Sequence, residues 1–442
     1  MRTVYDILFT IGFWLSAPYY LLKMWRRGDW RPGFRQRFGR FSAKVKQAVT
    51  NRHVVWIHAV SVGEVGVCTQ LIRALEPRAP SLKIVVSTTT STGMAELHRR
   101  LPADIERIYY PIDRRKYVAR ALAAIHPKAI VLVEGEIWPN FLWQARRRGI
   151  PVFLVNARLS ERSYRGYRRF RFLFRRFFRH FAGIGAQNEA DALKLRELGC
   201  RPEAIRVVGS MKFDAARVEP QRLLEVPAML RQLGWPPHAR LLVGGSTHAG
   251  EESLLAEVFL RLRQQHPDLF LVVVPRHFER GKEAGRDITA RGVRVVYRST
   301  ITPSANYPAG TVDCLLVNTT GELKYFYEQA TVIFVGKSLS VHGGQNPIEP
   351  GSLGKAMVFG PNMENFAAIA AAFVRGHGAV QVQNAAELEQ VMGRLLGDEK
   401  LREELGRNAL SVVRDNQGAV ERTVEMIIGS LKAEDLYVLP QP

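Results

Sequence analysis

The sequence predicts an α/β protein: two Rossmann-like halves, each a parallel sheet covered by helices, facing a cleft. Three observations carry that expectation. From Val54 onward short β-branched apolar runs alternate with amphipathic segments, VVWIHAV, KIVVSTTT, AIVLVEGEIWP and PVFLVNA among them. A second series opens at Arg240 with LLVGGST and continues through LFLVVVPRH, VRVVY, CLLVNTT, TVIFVGK and AMVFGPN. Between the series lies a polar, proline-dotted stretch, residues 214–237, that reads as linker and hinge. Strand–helix alternation implies parallel strands, and ligands of such sheets bind beyond the carboxyl ends of the strands. The cleft between the halves is therefore where chemistry is expected.

With 442 residues, 46% hydrophobic and 24% charged, the chain can bury two or three cores and should fold. Its net charge of +22 calls for an anionic partner: nucleic acid, acidic lipid or a phosphorylated substrate. Cys68, Cys200 and Cys314 are few, odd in number and far apart, which excludes a disulfide framework and fits a reducing compartment.

Residues 7–22 carry no charge, lie between Asp6 and Lys23, and include Phe9, Phe13, Trp14, Tyr19 and Tyr20 beside Gly12 and Pro18. At ~1.5 Å per residue the run is marginal for a hydrocarbon core ~30 Å thick, so it either spans a bilayer or lies in its interface. Lys23, Arg26, Arg27, Arg31, Arg35, Arg37 and Arg40 follow against Asp29 alone, a flank that would keep the rest of the chain cytoplasmic. Residues 1–25 are expected to be a membrane anchor and 26–50 a basic juxtamembrane segment, followed by an N-terminal Rossmann-like domain over 51–215 and a second over 216–430.

Three acids end strands in the first half. Glu64 follows HAVSVG, where Ser61 and Gly63 form a turn and the carboxylate lies at a helix start, placed either as general base or as a plain dipole cap. Glu134 and Glu136 in VEGEIWPN end the next such strand beside Trp138, as a binding wall or a helix cap. We take Glu64, Glu134 and Glu136 as the candidate catalytic carboxylates. Residues 158–181 hold nine arginines, eight aromatics and one acid, Glu161. Arginines interleaved with aromatic rings could grip nucleic acid, but together with the flank at the N-terminus they better fit anionic headgroups. Arg158, Arg162, Arg165, Arg168 and Arg169, with Ser61 and Gly63, are thus expected to face acceptor and membrane, with no nucleic-acid partner.

The second half repeats strand–loop–helix elements. Residues 331–366 run from a buried strand into a loop with Gly343 and Gly344, then Asn346 as N-cap, Pro347 at the first helical position, Ile348, and Glu349 in the first turn. Such a helix start suits a phosphate, and its carboxylate suits ribose hydroxyls. Ser246 and Thr247, then Pro275, Arg276 and His277, then Thr320, Gly321 and Glu322 occupy corresponding strand ends, and Lys212 sits where the chain crosses between halves. Together these elements are difficult to explain without a ligand, and a nucleotide could sit at the loop of Gly343 and Gly344.

Taken in order, SVGE at 61–64, EGEIWPN at 134–140, NARLSERS at 156–163, AQNEAD at 186–191, GSMKFD at 209–214, STHAGEE at 246–252, PRHFER at 275–280, TGEL at 320–323 and GGQNPIEP at 343–350 resemble the 3-deoxy-D-manno-octulosonic acid (Kdo) transferases of lipopolysaccharide assembly. The resemblance implies a GT-B glycosyltransferase fold with an N-terminal acceptor domain and a C-terminal donor domain, CMP-Kdo as donor, and a phosphorylated lipid A precursor of the inner membrane (lipid IVA) as acceptor. It implies Glu64 as proton acceptor in an inverting displacement, CMP contacts at 275–277, 320–322 and 346–349, and no metal or other cofactor. Gln345 stands where relatives commonly carry His, and Gly135 where a hydroxyl-bearing residue is frequent, so neither role is carried over. The alternative enzyme is a GT-B transferase using a UDP-sugar and a membrane lipid.

Overall fold

The computed structural model describes residues 2–26, 33–214, 224–236 and 239–431. It divides into two compact units, Met1–Ala215 with Asn416–Pro442, and Ala216–Asp415.

The first unit is built on β1 (His53–His58), β2 (Leu82–Thr88), β3 (Glu106–Tyr109), β4 (Pro127–Val133), β5 (Val152–Ala157), β6 (Phe181–Ala186) and β7 (Ile205–Val207). They pair in the order β3-β2-β1-β4-β5-β6-β7, all parallel. Alternate strand residues enter opposite faces. Val54, Trp56, Ile130 and Leu132 join one core, while Val55, Ile57, Val131 and Val133 join the other. Both faces being buried explains why these strands read as unbroken apolar runs.

The second unit has β8 (Arg240–Thr247), β9 (Leu269–Pro275), β10 (Val295–Tyr297), β11 (Cys314–Leu316), β12 (Val332–Val335), β13 (Met357–Phe359) and β14 (Val380–Gln381), again all parallel, in the order β10-β11-β9-β8-β12-β13-β14. Gly245 illustrates how closely its layers pack: a Cβ there would lie 2.0 Å from the Tyr327 hydroxyl.

Two expectations are corrected. The expected domain boundary at 430 moves back, because the helix Ala419–Ile428 buries Val420, Val424 and Ile427 in the first unit's core, and Asp214 accepts the amides of Gly418 (2.6 Å) and Val420 (2.8 Å). Within the expected linker, residues 215–223 and 237–238 lie outside the described residues, and Val226–Gln232 is a helix of the second unit.

The expected anchor is a single helix, Arg2–Arg26, and among the described residues no helix is long and apolar enough to cross a membrane. Polar and aromatic groups at its start explain the departure. Tyr5 donates to Asp113 (2.8 Å), Asn140 donates to Asp6 (2.6 Å), and Arg2 and Tyr5 both pack on Trp143. That face is docked on the first unit, whereas Leu8, Ile11, Trp14 and Leu15 are exposed. Of the basic flank, Arg27 and Arg31 lie outside the described residues, and Arg35 and Arg37 belong to the short 3-10 helix Phe34–Phe38.

Candidate active site

In the first unit β2 and β3 lie to one side of β1, and β4 to β7 lie to the other. The reversal between β1 and β4 is a topological switch point, where open α/β sheets bind ligands. Glu64 follows β1 and Glu134 and Glu136 follow β4, so the three predicted carboxylates flank this point.

Ser61 caps the helix Val62–Leu75 by accepting the Glu64 amide, and its hydroxyl donates back to Glu64 Oε1 (2.9 Å) while the Val60 amide donates to Oε2 (2.8 Å). Glu64 thus answers the Ser61 cap in the manner of a capping box, but through the Ser61 hydroxyl and the amide of the preceding Val60. A plain cap would be held acidic by those bonds. Here burial outweighs them, and with repulsion from Glu134 and Glu136 it pushes the carboxyl up to about 7. A carboxyl so poised suits proton abstraction near neutrality. Gly63 corrects the expected tight turn, since it is helical and exposed, and a Cβ there would meet only Ser61 Oγ at 3.9 Å.

Glu134 adopts a left-handed φ of 60°, a strained setting for a non-glycine residue and one common at functional sites. Its Oε1 receives Lys212 Nζ (2.8 Å) and Asn156 Nδ2 (3.3 Å). Lys212 was expected on the donor, and the structure pairs it instead with this acid of the first unit. Glu136 accepts the Trp138 indole (3.0 Å), and burial raises its pKa.

Two features went unread in the sequence. His58, the last residue of β1, stacks on Tyr110 (3.8 Å between centroids), and burial holds it neutral, down to about 3. Its Nδ1 meets Ser87 Oγ (2.9 Å), but its Nε2 and the Tyr110 hydroxyl are buried without partners among the described residues. A histidine ending an apolar strand was the available signal. The second is Asp113, which accepts the amides of Asn140 (2.9 Å) and Phe141 (2.8 Å) at a helix start and the Tyr5 hydroxyl.

The basic stretch forms the helices Glu161–Arg169 and Arg171–Phe178. Tyr164, Phe177 and Phe178 fill the core, while Phe170, Phe172, Arg162, Arg165, Arg168 and Arg169 are exposed. Arg158 is half-buried at the head of this stretch.

In the second unit the sheet order makes β11, β9, β8 and β12 neighbours, which brings Thr320–Gly321–Glu322, Pro275–Arg276–His277, Ser246–Thr247 and the loop after β12 to one edge. The Arg276 and His277 side chains are exposed there, and His277 meets His248 edge to face at 5.9 Å. Thr320 and Gly321 are exposed, with Gly321 at φ 85°, and Ser246 also adopts a left-handed φ, 56°.

Other predicted contacts are already committed. The Thr247 hydroxyl donates to Glu252 (3.0 Å), which Arg280 braces (2.9 Å), and Glu322 holds Arg298 (3.0 Å) and Thr319 (2.5 Å). The Gly343 amide donates to Glu364 (2.7 Å) and the Gly344 amide to the Lys337 carbonyl (2.7 Å). The helix after them is one turn, Ile348–Ser352, because Pro350 and Gly351 interrupt it, so little dipole is available to a phosphate. Asn346 still accepts the Ile348 amide (3.1 Å), Pro347 is the N-cap, and the Glu349 side chain is exposed. Glu251, buried at a helix start, collects the amides of His248 (3.0 Å), Lys337 (2.7 Å), Ser338 (2.9 Å) and Leu339 (3.1 Å), fixing the loop after β12.

Solved structures share this architecture along most of the chain. UDP-GlcNAc 2-epimerase from Neisseria meningitidis has TM-score 0.58 and 15% identity over 85% of this chain and 100% of its own. A glycosyltransferase from Rickettsia africae has TM-score 0.58 and 12% identity over 87% and 100%. Two parallel seven-stranded sheets with polar loops at their carboxyl edges define a protein of GT-B class.

A family model described as 3-deoxy-D-manno-octulosonic-acid transferase (kdotransferase) matches residues 32–215. The 3-deoxy-D-manno-octulosonic acid transferase of Bordetella pertussis is 31% identical over 433 residues, 95% of this chain and 98% of its own, and that of Haemophilus influenzae is 30% identical over 374, 84% and 86%. The chain therefore belongs to the Kdo transferase family, glycosyltransferases of lipopolysaccharide core assembly.

Proposed function

We propose that the enzyme moves Kdo from CMP-Kdo to a hydroxyl of a lipid A precursor, with Glu64 as general base, at the cytoplasmic face of the inner membrane. The acceptor oxygen forms a bond to the Kdo anomeric carbon with inversion, the bond from that carbon to the phosphate oxygen breaks, and CMP leaves with the electron pair. The hydroxyl proton passes to Glu64. The observation that carries this reading is a buried carboxyl at the β1 switch point pushed up to about 7, because such a group is ionised often enough to accept a proton and basic enough to hold it.

Donor and acceptor follow from the motif resemblance, with Arg276 available to the CMP phosphate and Thr320 and Gly321 to its nucleoside. The exposed apolar face of Arg2–Arg26 and the arginines of 158–179 fit an anionic lipid surface, on which the helix lies in-plane. Leaving-group charge is met by Arg276, so the reading requires no metal ion. Incubating the full chain with CMP-Kdo and the lipid A precursor, then weighing the products by mass spectrometry, tests it. Added Kdo masses are expected, and their absence, or transfer from a UDP-sugar instead, overturns it.

A further inference from the structure

Between the N-terminal helix and the body of the first unit lies a cavity of about 400 Å³. Phe9, Gly12 and Phe13 form one wall, and Tyr110, Ile112 and Trp138 form another. We propose that this cavity receives one hydrocarbon chain of the glycolipid acceptor, so that the helix Arg2–Arg26 is a lid over the acceptor's tail. The proposal rests on the transfer reaction proposed above and assigns the acceptor's apolar part a place.

The wall chemistry points to hydrocarbon. Its volume is within the range of ligand pockets, about 300–1,000 Å³, and aromatic and aliphatic surface dominates the two walls. Ser16, Arg37 and Asp113, which line it, are already bonded within the protein. Asp113 is bonded to Tyr5, Asn140 and Phe141, and Arg37 donates to the Thr89 carbonyl (2.7 Å) and lies 4.2 Å over the Tyr109 ring. The Tyr110 hydroxyl, unpartnered among the described residues, is itself buried from solvent, so the ring and not the oxygen faces the cavity and a sugar or nucleotide finds no donor in it. A saccharide would leave its own hydroxyls unpaired there, whereas an acyl chain loses nothing and removes apolar wall from contact with water.

Two connections identify whose chain it is. Trp138 is both a cavity wall and the donor to Glu136, which acts electrostatically on Glu64. A molecule with its tail against Trp138 is therefore next to the carboxylate cluster that would activate its hydroxyl. On its other side the lid shows Leu8, Ile11 and Leu15, 64%, 53% and 79% exposed, a face suited to the membrane from which such a chain would come.

Gly12 offers the test. A Cβ built there meets no atom within 4 Å, and Gly12 lines the cavity, so Gly12→Leu adds bulk at its wall with no clash at the first side-chain atom. Kinetics are compared for the acylated lipid A precursor and its fully deacylated form. The variant is expected to raise KM for the acylated acceptor at least tenfold, with kcat and the KM for CMP-Kdo within twofold, and to leave transfer to the deacylated form as in the wild type. An unchanged KM, or equal damage with both acceptors, overturns the proposal. In wild-type protein, an acceptor carrying a terminal diazirine on one chain is expected to label peptides holding residues 9–16 and 110–112. Labelling confined to the exposed face at Leu8 and Leu15, or equal labelling of the cavity by a diazirine-tailed phosphatidylglycerol that the acceptor does not displace, also overturns it. If the wild type transfers Kdo to neither acceptor, the reaction itself has been misread; if it transfers to both and Gly12→Leu is silent, only the lid proposal falls.

Discussion

Lys212 Nζ lies 2.8 Å from Glu134 Oε1, and the pair is about four-fifths buried on both sides. The lysine that looked poised for a donor phosphate instead neutralises one of the three acids around the switch point. Replacing it by methionine leaves Glu134 with Asn156 alone and without its cation, in electrostatic reach of Glu64. Lys212→Met is expected to cost about 1–3 kcal/mol of stability, read from urea unfolding, and to move the acidic limb of the kcat/KM profile to higher pH.

Glu64→Gln should remove turnover while preserving the fold. The sign of the pH effect follows from the raised pKa: the native state holds this proton up to about 7, the unfolded chain releases it near 4.5, so the group favours folding at low pH and that contribution is lost as pH rises through 7. Glutamine mimics the protonated form. At pH 8 the variant should therefore unfold at a midpoint equal to or above that of the wild type, with transfer down by at least 10²-fold.

Wild-type kcat/KM should rise with pH through about 7 as Glu64 ionises. Glu134→Gln removes the stronger of the two neighbouring repulsions, so the limb should move toward acid, and Glu136→Gln should do the same by a smaller margin. A profile unmoved by either substitution would detach the limb from this cluster.

Arg276→Ala is expected to weaken CMP binding roughly 10- to 100-fold, the loss of one charge-assisted bond of about 1.5–3 kcal/mol. Thermal protection by CMP should shrink accordingly, while the midpoint without nucleotide stays within 1–2 °C of wild type, about the effect of a neutral surface change. EDTA should leave transfer unchanged.

Tyr5→Phe removes the hydroxyl that ties the N-terminal helix to Asp113. Hydrogen exchange across Arg2–Arg26 should quicken about tenfold, equivalent to about 1.4 kcal/mol, with the second unit unaffected.

The sheets were legible because runs such as VVWIHAV and LFLVVV are buried on both faces and so contain almost nothing polar. Glu64 was legible because an acid directly after a strand-end turn lies at a helix start whatever else it does. What was hidden depended on partners far along the chain. A glycine pair announces a permissive loop, but not that Glu364 and Lys337 already hold its amides. An apolar run resembles an anchor until Tyr5 and Asp6 find Asp113 and Asn140. The amphipathic pattern of Ala419–Ile428 shows that one side is covered, without saying by which unit.

That last helix makes the second unit an insert within the first. During synthesis, residues 216–415 leave the ribosome with every strand and helix they need, whereas the first unit waits, its hydrophobic interior open, until Val420, Val424 and Ile427 have emerged. The second unit is thus set to mature before the half bearing Glu64, and a nonsense codon anywhere near position 416 would release a protein with one finished module and one that cannot close.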